Sequence, residues 1–137
     1  MLFKENSKKN RIISSYFKVI VRDNLGELSD ELFKKADNMM EDYNNKGTLH
    51  SGMFLKDLIT MFRDNYLKNL ETSLDSIEKF QNENNVKLNS KQLNRVKEIF
   101  LDYYPQAWSR TVNIDYTKIG KRVFGDNWDS TTSNNIL

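Results

Sequence analysis

Residues 24–33 read Asn-Leu-Gly-Glu-Leu-Ser-Asp-Glu-Leu-Phe, and the way this stretch is divided decides how many helices the chain contains. Gly26 suits a helix exit. Three residues later Ser29 suits an N-cap, and Asp30 and Glu31 follow where the positive end of a helix favours acids. Leu28 and Phe33 stand at the two positions of a hydrophobic staple. Read this way, the stretch ends one helix and begins a second.

Upstream, the first segment covers about 8–24, with Ile12, Ile13, Tyr16, Phe17, Val19, Ile20 and Val21 recurring at three and four. Its β-branched content leaves a strand as the alternative. A strand wants strict alternation, however, and neither Ile12 with Ile13 nor the run 19–21 alternates. Downstream, Leu32, Phe33, Ala36, Met39, Met40 and Tyr43 mark the face of the second helix, which Asn44, Asn45 and Gly47 should close.

A third helix, starting after Thr48 or Ser51, carries Leu55, Leu58, Ile59, Phe62, Tyr66, Leu70, Leu74 and Ile77 along one side. It is the longest expected element, running over about 52–80, and so the expected spine of the molecule. Its spacing drifts from a heptad, as in a straight bundle helix. Asn89 with Gln92 forms a capping-box pair for a fourth helix, with Leu88 and Leu93 at its staple positions. Leu93, Val96, Ile99, Phe100, Tyr103 and Tyr104 form the face of that helix, and Pro105 should end or kink it. Residues 106–124 hold enough apolar side chains for one or two short helices. From Gly125 the chain turns polar, so a loose tail is expected in which only Trp128 has reason to dock.

These segments predict an all-α fold: a compact bundle of four or five helices, one domain over 1–125, and a flexible tail over 126–137. Composition agrees. A chain of 137 residues is the size of one domain, and its 12% aromatic content can supply a core. With one proline and five glycines, many short strands are disfavoured. The absence of cysteine removes disulfides, thiolate metal sites and cysteine nucleophiles. A single histidine removes the usual zinc sites, and no cofactor motif is present. The apolar run 12–21 is interrupted by Lys18 and followed by no small-x-small cleavage pattern, so it reads as mature chain rather than a secretion signal. No stretch is long and apolar enough for a membrane span, and the expected location is cytoplasmic.

Charge is uneven although the total is only +2. Residues 1–25 hold six cations against two acids, and residues 26–47 hold three against six. On a helix, Lys4, Lys8, Arg11, Ser15, Lys18 and Arg22 form a basic stripe that should lie opposite the apolar one. Such a stripe suits phosphates, an anionic membrane surface or an acidic partner, and equally the solvated outer face of a core helix. A second basic group, Lys118, Lys121 and Arg122, interleaves with Ile119, Val123 and Phe124, with Trp108 and Arg110 upstream. These eight cations, the stripe and the second group, are the candidate binders of an anionic partner.

His50 beside Ser51 at a helix start is a candidate for acid–base catalysis, though Ser51 is equally a plain cap and Gly52 a plain turn residue. The acids Asp37, Glu41 and Asp42, like Asp57 and Asp64, interleave with lysines and arginines as solvated surface charge does. Met39, Met40, Met53 and Met61 read as core filler. The function expected by elimination is a non-catalytic protein–protein interaction or assembly module whose partner is another protein or a second copy. A nucleic-acid binder using the first helix is the alternative, and a small enzyme built on His50 is the second alternative.

Overall fold

The computed structural model of the chain describes residues 2–125 and Trp128, with side chains from residue 8 onward. Every regular element among them is helical. The order is α1 (Leu2–Asn45), α2 (Gly52–Glu83), α3 (Ser90–Arg110), a π-helical segment (Thr111–Tyr116) and α4 (Thr117–Phe124). The last three follow without a break. The described residues therefore form three helical rods running up, down and up, rather than the four or five helices expected. The loose-tail expectation for 126–137 lies outside the described residues, apart from Trp128.

The main correction falls at residues 24–33. α1 passes straight through them as one helix of 44 residues, longer than the 32 of α2. The core face explains why: Phe17, Val21, Leu28, Leu32 and Ala36 are buried at spacings of four, seven, four and four, with Asn24 in phase between Val21 and Leu28. A break at Gly26 would take that face out of register. Glycine inside a helix costs only about 1 kcal/mol relative to alanine, less than the burial of one leucine at about 1.5–3 kcal/mol. Glu31 pairs with Lys35 one turn on, at 2.8 Å, and the ammonium beside it holds its carboxyl below the usual range. That is interior helix geometry. Phe33 stays 55% exposed while Leu28 is buried, so the staple does not form.

The other signals act as read. Gly47, at φ +72°, lies in the left-handed region just past α1, and the Thr48 amide donates to the Tyr43 carbonyl at 2.9 Å. The Ser51 hydroxyl accepts from the Phe54 amide and starts α2, while Asn89 and Gln92 make the reciprocal capping box of α3. Pro105, read from the sequence as an end or kink, lies within α3 instead. It replaces a donor to the Leu101 carbonyl, and Leu101 faces solvent, where water can take that bond. The π-helical segment then turns Thr111, Val112 and Tyr116 inward, and the Thr117 hydroxyl donates to the Val112 carbonyl at 3.2 Å.

α1 packs along both other rods, and its antiparallel pairing with α2 is fixed by Lys35 with Asn65 at one level and Tyr16 with Phe80 at another. Phe17, Phe54, Leu58, Phe62, Val96 and Tyr116 form the centre of the core. Trp128 docks on α4, as the sequence allows: its ring lies edge-on to Tyr116, 5.6 Å between centroids, in space that any side chain at Gly120 would occupy. The Tyr116 hydroxyl and the indole N–H are both buried there without a partner among the described residues.

Candidate functional site

The two basic groups do not merge. Lys8 and Arg11 are exposed, Lys18 is half-buried, and the side chain of Lys4 lies outside the described residues. Arg22 donates to the Tyr103 hydroxyl at 3.1 Å with its guanidinium 5.7 Å from that ring's centroid, so part of its role is to hold α1 against α3. Lys118, Lys121 and Arg122 are exposed on α4, which lies beside Leu32 and Ala36 through Ile119. Leu32 follows Arg11 by 21 residues, about 32 Å along the α1 axis, but follows Arg22 by only 10, about 15 Å, so the two groups approach each other only at the Arg22 end of the stripe.

Nor does the basic stripe lie squarely opposite the core. That place is taken by Ile12 and Val19, 56% and 53% exposed, with the accessible edges of Tyr16 and Ile20 beside them and Lys8 and Arg11 close by. The outer face of α1 is thus a short apolar stripe with basic margins. His50 is exposed, with its ring 6.0 Å from Phe124 and no hydrogen bond from the imidazole among the described residues. The acids singled out from the sequence are all on the surface, where the Asp57 carboxylate accepts from the Tyr43 hydroxyl. Among the described residues no three His, Asp or Glu side chains converge on a cation site.

An apolar concavity lies elsewhere, between α2 and α3. These rods meet mainly through a few large side chains, and a groove of about 520 Å³ opens between them. Tyr66, Tyr104 and Trp108 line its floor. Tyr66 sits edge-on to Tyr104 and to Trp108, with centroids 6.2 Å and 5.2 Å away, an arrangement favoured by the ring quadrupoles. Leu67 and Leu101 stand on the two walls, 58% and 62% exposed, and Arg63 is the one ionised side chain in the lining. Large apolar groups left in water on facing helices are the unusual feature, since scattered single leucines would need no explanation.

The floor is held from behind by a closed ring of hydrogen bonds that joins all three rods. The Asn24 amide donates to the Ser73 hydroxyl at 2.8 Å, and Ser73 lies 2.5 Å from the Tyr104 hydroxyl. Tyr104 donates to the Asn69 side-chain oxygen at 2.7 Å, and the Asn69 amide donates to the Asn24 carbonyl at 2.9 Å. With Ser73 as donor to Tyr104, each hydroxyl gives one bond and receives one, so no member is stranded. Burial pushes the Tyr66 phenol up to about 12 and also raises that of Tyr104, so both remain protonated at neutral pH. The aromatic floor is therefore rigid and neutral.

A second groove of about 400 Å³ between α1 and α3 gathers Arg22, Arg110 and Asp115. Burial raises the Asp115 carboxyl above the usual range, against the opposing pull of Lys118 and Arg110. Its charges partly cancel and its lining is more polar.

The sequence reading did not single out the α2–α3 groove or the ring. A signal for the ring was available: Ser73 stands seven residues after Tyr66 and seven before Phe80, in phase with the buried face of α2. A serine at that phase must find a partner. Among the described side chains, Arg22 is the one candidate cation seen to join two rods. Compared with known proteins, the chain matches no family model, no curated protein and no solved structure.

Proposed function

We propose that this chain is a non-catalytic docking and assembly module that receives an amphipathic helix of a protein partner in the α2–α3 groove. One observation carries the reading: Leu67 and Leu101 stand in water on facing walls above a rigid aromatic floor. Grooves of this shape take the apolar anchors of a helix, spaced at three and four residues. Covering the exposed part of each leucine contributes about 1 kcal/mol, enough with the floor for a specific contact.

Photocrosslinking tests the reading. A benzophenone side chain at position 67 or 101, activated in the cells that make the protein, should give one dominant covalent adduct. The same group at exposed Ser109, outside the groove lining, should give none. Equal, diffuse labelling from all three positions would reject the groove as a docking site. The nucleic-acid alternative draws on Lys8 and Arg11, and it requires binding to mixed DNA or RNA that falls steeply with salt and weakens on charge reversal at those residues.

A further inference from the structure

Resting on the groove reading, we infer that its occupant is the outer stripe of α1 from a second copy of this chain, so that copies join head to tail. The stripe has the form the groove requires. Ile12, Tyr16, Val19 and Ile20 stand at i, i+4, i+7 and i+8, the anchor spacing of a helix laid in a groove. From Ile12 to Ile20 the stripe spans about 12 Å, and the α2 wall from Ile59 to Leu70 spans about 16 Å, so one fits within the other.

Charge points the same way. On α2, Leu67, Glu71, Leu74 and Glu78 follow one another at four, three and four, which puts two exposed acids past the Leu70 end of the groove, Glu71 beside it and Glu78 about 12 Å from Leu70. Neither acid has a cation within 4.0 Å among the described residues. The α1 stripe brings Lys8 and Arg11 as its margin. The stripe's bases are complementary to these acids at the Leu70 end of the groove, the nearer of which, Glu71, lies about 12 Å along α2 from Arg63, the cation in the lining.

Within one molecule the two surfaces cannot meet. The groove opens between α2 and α3, whereas Ile12 and Val19 stand on the side of α1 opposite Phe17 and Val21, and Tyr16, at the edge of the stripe, packs on Phe80 of α2 far from Leu67 and Leu101 in the chain. Because groove and stripe are different surfaces, each copy engages two neighbours, and the contact closes into a ring or continues as a filament.

The test uses the full chain in two double variants, all four positions being exposed: Leu67→Glu with Leu101→Glu to spoil the groove, and Ile12→Asp with Val19→Asp to spoil the stripe. In sedimentation equilibrium the natural chain should show a mass that rises with concentration above the 16.2 kDa monomer and falls again in 0.5 M salt. Each variant alone should lose this association while keeping its helical circular dichroism. Mixed in equal amounts, the two should recover a species of twice 16.2 kDa, since one intact groove then meets one intact stripe.

The inference is overturned if the natural chain stays monomeric, if either variant associates like the natural chain, or if the mixture remains monomeric. A monomeric chain whose position 101 still crosslinks to one different protein would overturn only the self-association and leave the groove reading standing. Absence of any dominant adduct would overturn both.

Discussion

Gly26 offers the sharpest test of this fold, because the molecule would respond oppositely if the chain broke there. In the structure Gly26 is helical, and a Cβ built on it meets nothing within 4 Å. Gly26→Ala should therefore collect the full difference in helix propensity, about 0.8–1 kcal/mol, with no steric penalty. For a domain of this size that corresponds to a rise in melting temperature of about 3–5 °C. Gly26→Pro should do the reverse: it deletes the amide bonded to the Arg22 carbonyl and pushes its ring against that turn, at about 3 kcal/mol or more. Urea titration followed by circular dichroism measures both variants, with the midpoint moving and the slope constant. A destabilising alanine together with a tolerated proline would refute the continuous α1 and restore a helix boundary at residues 24–33.

Two tyrosines provide a matched pair of the same substitution with opposite signs. Tyr104→Phe strands the Ser73 and Asn69 groups that the hydroxyl now satisfies and should cost about 2–3 kcal/mol, whereas Tyr116→Phe removes a buried hydroxyl that has no partner among the described residues and should be neutral or stabilising by up to about 1 kcal/mol. Chemical denaturation reads both, and equal losses would contradict the ring. Gly120→Ala should expel the Trp128 indole from Tyr116; in a Trp108→Phe background the remaining tryptophan emission should shift to the red, and an unchanged spectrum would count against the docking.

Alkaline pH supplies the last prediction. Tyr66 and Tyr116 are both pushed up to about 12 by burial, so between pH 10 and 12 the folded chain holds protons that the unfolded chain has released. Their contribution is complete below pH 10 and lost as pH rises through 12. Melting temperature should fall across that window, and Tyr66 and Tyr116 should be among the phenols that titrate late at 295 nm, with Tyr104 and Tyr43 also raised; six titrating together near 10 would be inconsistent.

Much of this architecture can be read in the residues. The all-α class, the cap at Ser51, the capping box at Asn89, the close at Gly47 and the span of α2 follow from local chemistry, because each depends on side chains and backbone within a few residues. What misled was equally local. Gly26 and Ser29 permit a boundary without compelling one, and the decision rests with Val21, Leu28 and Leu32, whose burial against α2 and α3 only the tertiary structure weighs. Pro105 is tolerated for a similar reason, since its effect depends on whether the freed Leu101 carbonyl can reach water.

The candidate site was less legible. The α1 charges were visible as a stripe, but the apolar pair Ile12 and Val19 counted towards the core until the packing turned that face outward. The groove is formed by the separation of two rods. Leu67 and Leu101 are ordinary helix residues in the sequence, and nothing near either one records the distance to the other.

The hydrogen-bonded ring also bears on how the chain reaches its native state. Its four members come from three rods, and Tyr104, the only one from α3, closes the circuit between Ser73 and Asn69. A hairpin of α1 and α2 alone could keep the two bonds made through Asn24 but would leave the Ser73 proton and the Asn69 oxygen without the Tyr104 hydroxyl. The last rod to arrive completes the bonds of the other two, which couples all three into one cooperative unit and favours all-or-none unfolding without a persistent two-helix intermediate.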